Sequence, residues 1–375
     1  MNDTNSTIEG LNRDILGLLK TLIRTPSLSG EEDGTAGAIA SFLEAHGARV
    51  QRYGNNVCSW CAEYDPEKET ILLNSHHDTV PASSTWTRSP FDPIEEDGRL
   101  YGLGSNDAGG ALVCLIGTFL YFLQREGELP FNLVLAATAE EETSGDNGIT
   151  AVLPHLGDID LGIVGEPTSL DLAVAEKGLI VLDCVAHGRS GHAAREEGEN
   201  AIYNALPDLE WFRTYRFERE SATLGPVKMT VSVVGAGSRH NVVPDECRFT
   251  VDVRTTDSYT SEEILAIIRE HVKSDVYPRS LRLHSSGIDP EHPVVRAARQ
   301  LELHEYGSPT LSDQALIPFT TIKLGPGDSA RSHTADEWIG LNQIQDGLLT
   351  YVQLLETMIA LGQTDSGVGG FSDSN

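Results

Sequence analysis

Seven side chains carry the chemistry that can be read from this chain: the imidazoles of His76 and His333 and the carboxylates of Asp78, Asp107, Glu141, Glu142 and Glu166. Two imidazoles set among carboxylates suit Zn²⁺ or Co²⁺ rather than Ca²⁺, which prefers oxygen alone. Five plausible ligands are too many for one tetrahedral ion, but they suffice for two ions sharing a bridging carboxylate. Adjacent glutamates can then divide the work: one binds metal and the other takes a proton from the attacking water.

These residues sit at the ends of expected strands. The apolar run Ile71–Leu73 reads as a buried strand that leaves the sheet through Asn74-Ser75-His76-His77-Asp78-Thr79-Val80-Pro81, where Pro81 forbids further pairing. His76 and Asp78 are two apart, so they point the same way and the carboxylate can orient a neighbouring group. A surface loop that happens to hold histidine is the plain alternative for this stretch alone. The buried strand Phe131–Thr138 runs into Glu140-Glu141-Glu142, a costly trio unless a cation or solvent neutralises it. Leu161–Val164 likewise ends in Gly165-Glu166-Pro167-Thr168. Carboxyl ends of strands are where ligands gather in open α/β sheets. Tyr101-Gly102-Leu103-Gly104-Ser105-Asn106-Asp107 lacks the third glycine and the preceding strand of a dinucleotide fingerprint. It suits a metal loop before a helix over 111–124, with a helix-capping role for Asp107 as the alternative.

The supporting elements follow by periodicity. Helices are expected over 9–24, from the Ser29-Gly30-Glu31-Glu32 start through Ala40, Phe42 and Leu43 to near Gly47, and over 199–214, 261–273, 291–304 and 341–360, with strands near 48–53, 56–63, 70–76, 131–138, 161–164, 179–186, 227–234 and 246–253. The alternation predicts an α/β fold with a mixed sheet sandwiched by helices. From 175 to 283 the order changes to β-α-β-β-α with a further strand near 280, an inserted α+β unit. The domains are therefore 1–174 with 284–361, the insert 175–283, and a Gly/Ser/Asp-rich tail over 362–375 expected to be disordered.

Bulk composition excludes several functions. In 375 residues, 27 Lys and Arg face 56 Asp and Glu, a formal net charge of −29, so nucleic-acid binding is not expected. The acids are dispersed, which reads as adaptation to a salt-rich cytoplasm, cation binding being the alternative. The polar start Met1–Ser6 is unlike a signal peptide, and no apolar run has the length of a membrane span. Five scattered cysteines argue against a disulfide framework and for a cytoplasmic protein, and the lone Cys58-Ser59-Trp60-Cys61 has no second pair to complete a zinc site.

Taken together, Ser75–Pro81, Tyr101–Asp107, Glu141-Glu142-Thr143-Ser144, Gly165–Thr168 and Ser332-His333-Thr334-Ala335-Asp336-Glu337-Trp338 resemble the zinc-dependent aminoacylase and exopeptidase family of acetylornithine deacetylase, succinyl-diaminopimelate desuccinylase and glutamate carboxypeptidase. The resemblance runs from the first helix to about 358. It implies a phosphorylase/hydrolase-like catalytic domain and a ferredoxin-like lid that also forms a homodimer. It further implies that His76 and Glu166 hold one zinc ion, Glu142 and His333 the other, and that Asp107 bridges. Glu141 would be the general base and Asp78 the acid that orients the site. In the insert, His192 would approach the scissile carbonyl of the partner subunit, with Asn241 and Arg254 touching substrate. A helix-start role for His192 and a surface-strand charge for Arg254 are the local alternatives. Gly325 and Gly327 would offer backbone donors. The chain departs from the pattern after Asp107, where relatives usually carry Met-Lys-Gly and this chain has Ala108-Gly109-Gly110. The implied activity is hydrolysis of an N-acyl amino acid, N2-acetyl-L-ornithine first. N-acetylcitrulline, N-succinyl amino acids and peptides are the alternatives, and a non-catalytic metal-binding relative is the reading from another class.

Overall fold

The structure, a computed structural model, describes residues 2–61, 63–125 and 129–367. The chain divides into two compact units. One comprises Met1–Val174, Ile288–Tyr306 and Ser312–Asn375, the other Ala175–Gly287 with the short return Gly307–Leu311.

In the first unit a mixed sheet runs in the order Val50–Tyr53, Asn56–Trp60, Asn132–Thr138, Thr70–His76, Leu161–Gly165, Thr321–Leu324 and the strand that begins at Leu172. The four central strands, Asn132–Thr138 through Thr321–Leu324, are parallel. Parallel strands covered on both faces are apolar throughout rather than alternating with polar residues, and Thr70–His76 is buried at every position. Alternation survives as a choice of face. Ile71, Leu73, Leu133, Leu135 and Ile163 pack beneath the large helical layer, whereas Leu72, Val134, Ala136 and Val164 pack with the short helix Ile149–Leu156.

The large layer holds helices Asn2–Arg24, Asp33–Ala45, Gly110–Leu123, Pro293–Gln300 and the terminal helix Leu341–Gly367. Gly110–Leu123 is buried almost all round, so it lacks the polar stripe of a surface helix. With the turn before it, Ser105–Leu123 has the length and apolarity of a membrane span, yet nearly all of it lies inside this unit. The terminal helix continues to Gly367, through the start of the stretch expected to be disordered; residues 368–375 lie outside those described. The Cys58/Cys61 pair is split between the two faces of the sheet, which removes any shared metal or redox role. Burial pushes the Cys58 thiol up to about 12.

The second unit is a four-stranded antiparallel sheet in the order Lys228–Ala236, Glu246–Thr255, Gly178–His187, Asp275–Pro278, with helices Ala201–Thr214 and Ser261–His271. In chain order that arrangement is strand two, three, one, four, the ferredoxin-like pattern. Thr260 and Glu263 form a capping box at the second helix. The return segment Gly307–Leu311 joins this unit through Ser308, whose carbonyl accepts from Lys177 N–H at 3.0 Å.

Candidate metal centre

Because four neighbouring strands run parallel, their carboxyl ends open on one edge of the sheet. His76 is the last residue of its strand, Glu166 follows Gly165, and the glutamate turn follows Thr138. The loop after Leu324 brings His333. Asp107 arrives from the turn Ser105–Gly109 that precedes Gly110–Leu123. It does not cap that helix, whose N-cap is Gly109 with no side-chain bond.

His76 is 1% exposed, and its Nε2 has no hydrogen-bond partner among the described residues. Nδ1 faces the Asp78 carbonyl at 3.1 Å and Asp78 Oδ1 at 3.3 Å, which favours the Nδ1–H tautomer, so that the neutral ring presents the lone pair of Nε2 to a cation. Around that lone pair stand Asp107 Oδ1 at 3.4 Å, Glu166 Oε1 at 3.8 Å and Glu141 Oε2 at 3.9 Å. On the other side of Asp107, Oδ2 lies 3.5 Å from His333 Nε2, which is 2.9 Å from Glu142 Oε2. Two ligands of a tetrahedral ion with bonds of about 2.0–2.2 Å are themselves about 3.3–3.6 Å apart. The orphaned nitrogen and its spacing to Asp107 therefore fit a cation, and among the described residues two sets could hold one: His76 with Asp107 and Glu142, and His76 with Glu141 and Glu166. Asp107 turns one oxygen toward each histidine.

Electrostatics give the same picture. Burial alone would lower the His76 pKa, but the carboxylates of Asp107, Asp78, Glu141 and Glu166 hold it well above the ordinary value. Burial raises Glu141 well above the usual carboxylate range, with Glu166, Asp313 and Glu142 adding to it against the pull of His76. Burial also raises Glu142. Carboxylates crowded around a buried imidazole are what a divalent cation relieves.

The adjacent glutamates diverge because the backbone turns sharply. Glu140 and Ser144, either side of the short turn Glu141–Thr143, are both left-handed. Glu141 thereby faces His76 and Glu142 faces His333, while Glu140 turns away to accept from Asn147 N at 3.2 Å and Nδ2 at 2.9 Å. Asp78 fixes this turn as well as His76: Oδ1 accepts from Glu141 N at 3.1 Å and Oδ2 from Glu142 N at 3.2 Å. Ser29 donates to Asp78 Oδ2 at 2.7 Å. His77, the neighbour of the key histidine, is a satisfied core residue between Thr35 Oγ1 and the Asn55 carbonyl, and burial takes its pKa down to about 4.

Three buried acids escape sequence reasoning. Glu32 accepts from Gly30 N, Glu140 N and Asn55 Nδ2. Asp313 accepts from Thr138 Oγ1 at 2.7 Å at the foot of the glutamate turn, and burial raises it to about 6. Glu337 accepts from the backbone of the Asp107 loop, and burial, then the charge of Asp107, raise it to about 8. Of these, Glu337 alone had a signal, its place in the His333 motif.

The glycine-rich loop has its own requirements. Gly104 is left-handed, and a Cβ there would meet Thr79 Cγ2 at 2.7 Å; at left-handed Gly327 it would meet Asn106 Oδ1 at 2.6 Å. Gly325 N donates to Thr168 Oγ1 at 3.0 Å.

Within the second unit, a short ladder pairs His192 with Val242, and Ala193 N donates to the Asn241 carbonyl at 3.0 Å. His192 and Asn241 are thus neighbours, both exposed. His192 Nδ1 accepts from Ala194 N at 3.1 Å, which leaves Nε2 as the protonated, donating nitrogen. Arg254 is half-buried and engaged in two bonds with Asp252, two residues back on the same strand face.

A cage of this kind on the carboxyl edge of an α/β sheet defines a metal-dependent hydrolase of amide bonds. The chain belongs to peptidase family M20/M25/M40, whose family model matches residues 72–357. Solved structures share the fold. An aminopeptidase PepT from Bacillus cereus superposes with a TM-score of 0.75 at 17% identity, covering 93% of this chain and 99% of that one. A dinuclear metal-binding peptidase of the M20 family from Bacillus subtilis gives 0.70 at 18%, over 94% and 99%. The dipeptidase Dug1p from Saccharomyces cerevisiae gives 0.68 at 15%, over 95% and 98%.

Proposed function

We propose that the protein removes an acyl group from the α-nitrogen of an amino acid, with N2-acetyl-L-ornithine the first substrate to test and arginine biosynthesis the corresponding pathway. The observation behind the hydrolytic centre is the orphaned His76 Nε2 inside a ring of carboxylates. His76 and Glu166 would hold one Zn²⁺ and Glu142 and His333 the second, with Asp107 shared between them; Co²⁺ could substitute. The ions, when bound, supply Lewis acidity to the carbonyl and to water. Asp78 orients His76 and, through its two backbone bonds, the Glu141–Glu142 turn. Glu141 takes the proton of the attacking water and returns it to the leaving nitrogen. His192, donating from Nε2, steadies the developing oxyanion, with Asn241 and Arg254 holding the rest of the substrate.

The protein acts as a homodimer through the second unit. Support comes from the edge strand Lys228–Ala236, with Val233 and Val234 exposed, and from Tyr203 and Leu206 exposed on the helix Ala201–Thr214. Unpaired edges with exposed apolar residues are surfaces that a second chain can cover. Five buried free cysteines suit a reducing cytoplasm, and the acidic excess a salt-rich one.

A peptidase is the second reading, favoured by the names of the solved relatives PepT and Dug1p. Initial rates with Zn²⁺ or Co²⁺ on acetylornithine, acetylcitrulline, succinylornithine, succinyl-diaminopimelate and a dipeptide decide between them. A kcat/KM highest on the dipeptide would replace the deacylase reading, and no turnover of any amide would favour a non-catalytic relative.

A further inference from the structure

Glu337 is 2% exposed, yet it is a carboxylic acid in a protein with acids to spare on its surface. It immediately precedes the short strand Trp338–Gly340, which pairs with Arg99–Tyr101. Where that pairing stops, Glu337 continues it. Its carbonyl accepts from Gly102 N at 3.0 Å. Its Oε2 accepts from Gly104 N at 3.2 Å, and its Oε1 from Asn106 N at 2.7 Å and Asp107 N at 3.0 Å. One residue thus collects four amide hydrogens from the segment that delivers Asp107. A loop with left-handed Gly104 and no helical bonds over these amides has few other ways to fix its path. The result is that the Asp107 side chain is free to put one oxygen toward His76 and the other toward His333.

We propose that Glu337 is the positioning residue for the bridging carboxylate: by gathering the amides of Gly104, Asn106 and Asp107 it sets the aim of Asp107, and with it the affinity of the centre for its weaker ion. The inference rests on the two-ion reading above. In its ionised form Glu337 can serve all three amides, because it offers two accepting oxygens and brings no donor, and a cation at Asp107 favours that form by offsetting the charge that helps to raise its pKa. Glutamine offers one oxygen and turns an NH₂ toward an amide. Aspartate keeps the charge but is a methylene short.

The test is a Co²⁺ titration of metal-free full-length protein, read by the visible absorption of the bound ion, alongside the thermal unfolding of the metal-free form. E337Q and E337D should each hold the weaker ion about 10–100-fold less tightly, the range for partners that orient metal ligands, while the metal-free proteins unfold cooperatively. Wild-type affinity for both ions in both variants would overturn the proposal. So would failure of both to fold, which would make Glu337 a residue of the fold and not of the centre. Wild-type protein that takes up a single ion removes the two-ion reading alone; E337Q must then still weaken that ion, and if it does not, the positioning role falls too.

Discussion

At the scale of single residues, position relative to a strand end decided what could be foreseen. His76, Glu141, Glu142 and Glu166 interrupt apolar runs where a buried strand has no local use for charge, so each announces itself. Glu32 and Asp313 do not, because a buried acid that accepts from backbone or side-chain donors distant in sequence has no periodic signature and looks like any surface acid. The division of labour between Glu141 and Glu142 depends on the left-handed Glu140 and Ser144, which no residue-type preference predicts for glutamate. That division makes a direct prediction. Glu141→Gln retains its metal and loses about 10²–10⁴-fold or more in kcat, as expected for a positioned general base. Glu142→Gln, whose side chain faces His333 at 2.9 Å, weakens one ion instead. Metal analysis and single-turnover rates on the two variants would expose an inverted assignment at once.

At the scale of elements, strands and helices were readable because burial dictates their composition, and Thr70–His76 has the bounds expected for it. The loops were readable only as punctuation. Ser29–Glu32, which looks like the start of the second helix, is instead a brace: the Glu32 side chain caps nothing in its own helix and reaches Glu140 N and Asn55 Nδ2. Removing it orphans buried donors, each costing about 1–3 kcal/mol. Glu32→Ala should therefore lower the unfolding free energy by at least that much, read as a lower urea midpoint with an unchanged slope, and an unaltered midpoint would mean that water takes over the carboxylate's bonds. Ser29→Ala, which deletes a single bond to Asp78, should cost about 0.5–1.5 kcal/mol.

At the scale of the whole molecule, a net charge of −29 implies self-repulsion that salt screens. The melting temperature should rise between dilute buffer and molar KCl, and a flat response would retire the salt-adaptation reading. The partner role of His192 is tested by mixing. Glu141→Ala and His192→Ala, each nearly inactive alone, should recover about a quarter of wild-type activity when refolded together, since half of randomly paired dimers are mixed and one of their two sites is intact. Mixed dimers without recovery would confine His192 to its own chain. One further consequence lies in the order of the central sheet. Thr321–Leu324 is wedged between Leu161–Gly165 and the strand from Leu172, although it is synthesised long after both. A nascent chain must therefore keep a slot open in the middle of its sheet until the ribosome delivers the piece that fills it, and His333 follows that piece out. An ion that needs His333 must then wait for this late segment, and a chain cut short before residue 321 leaves two strand edges unpaired.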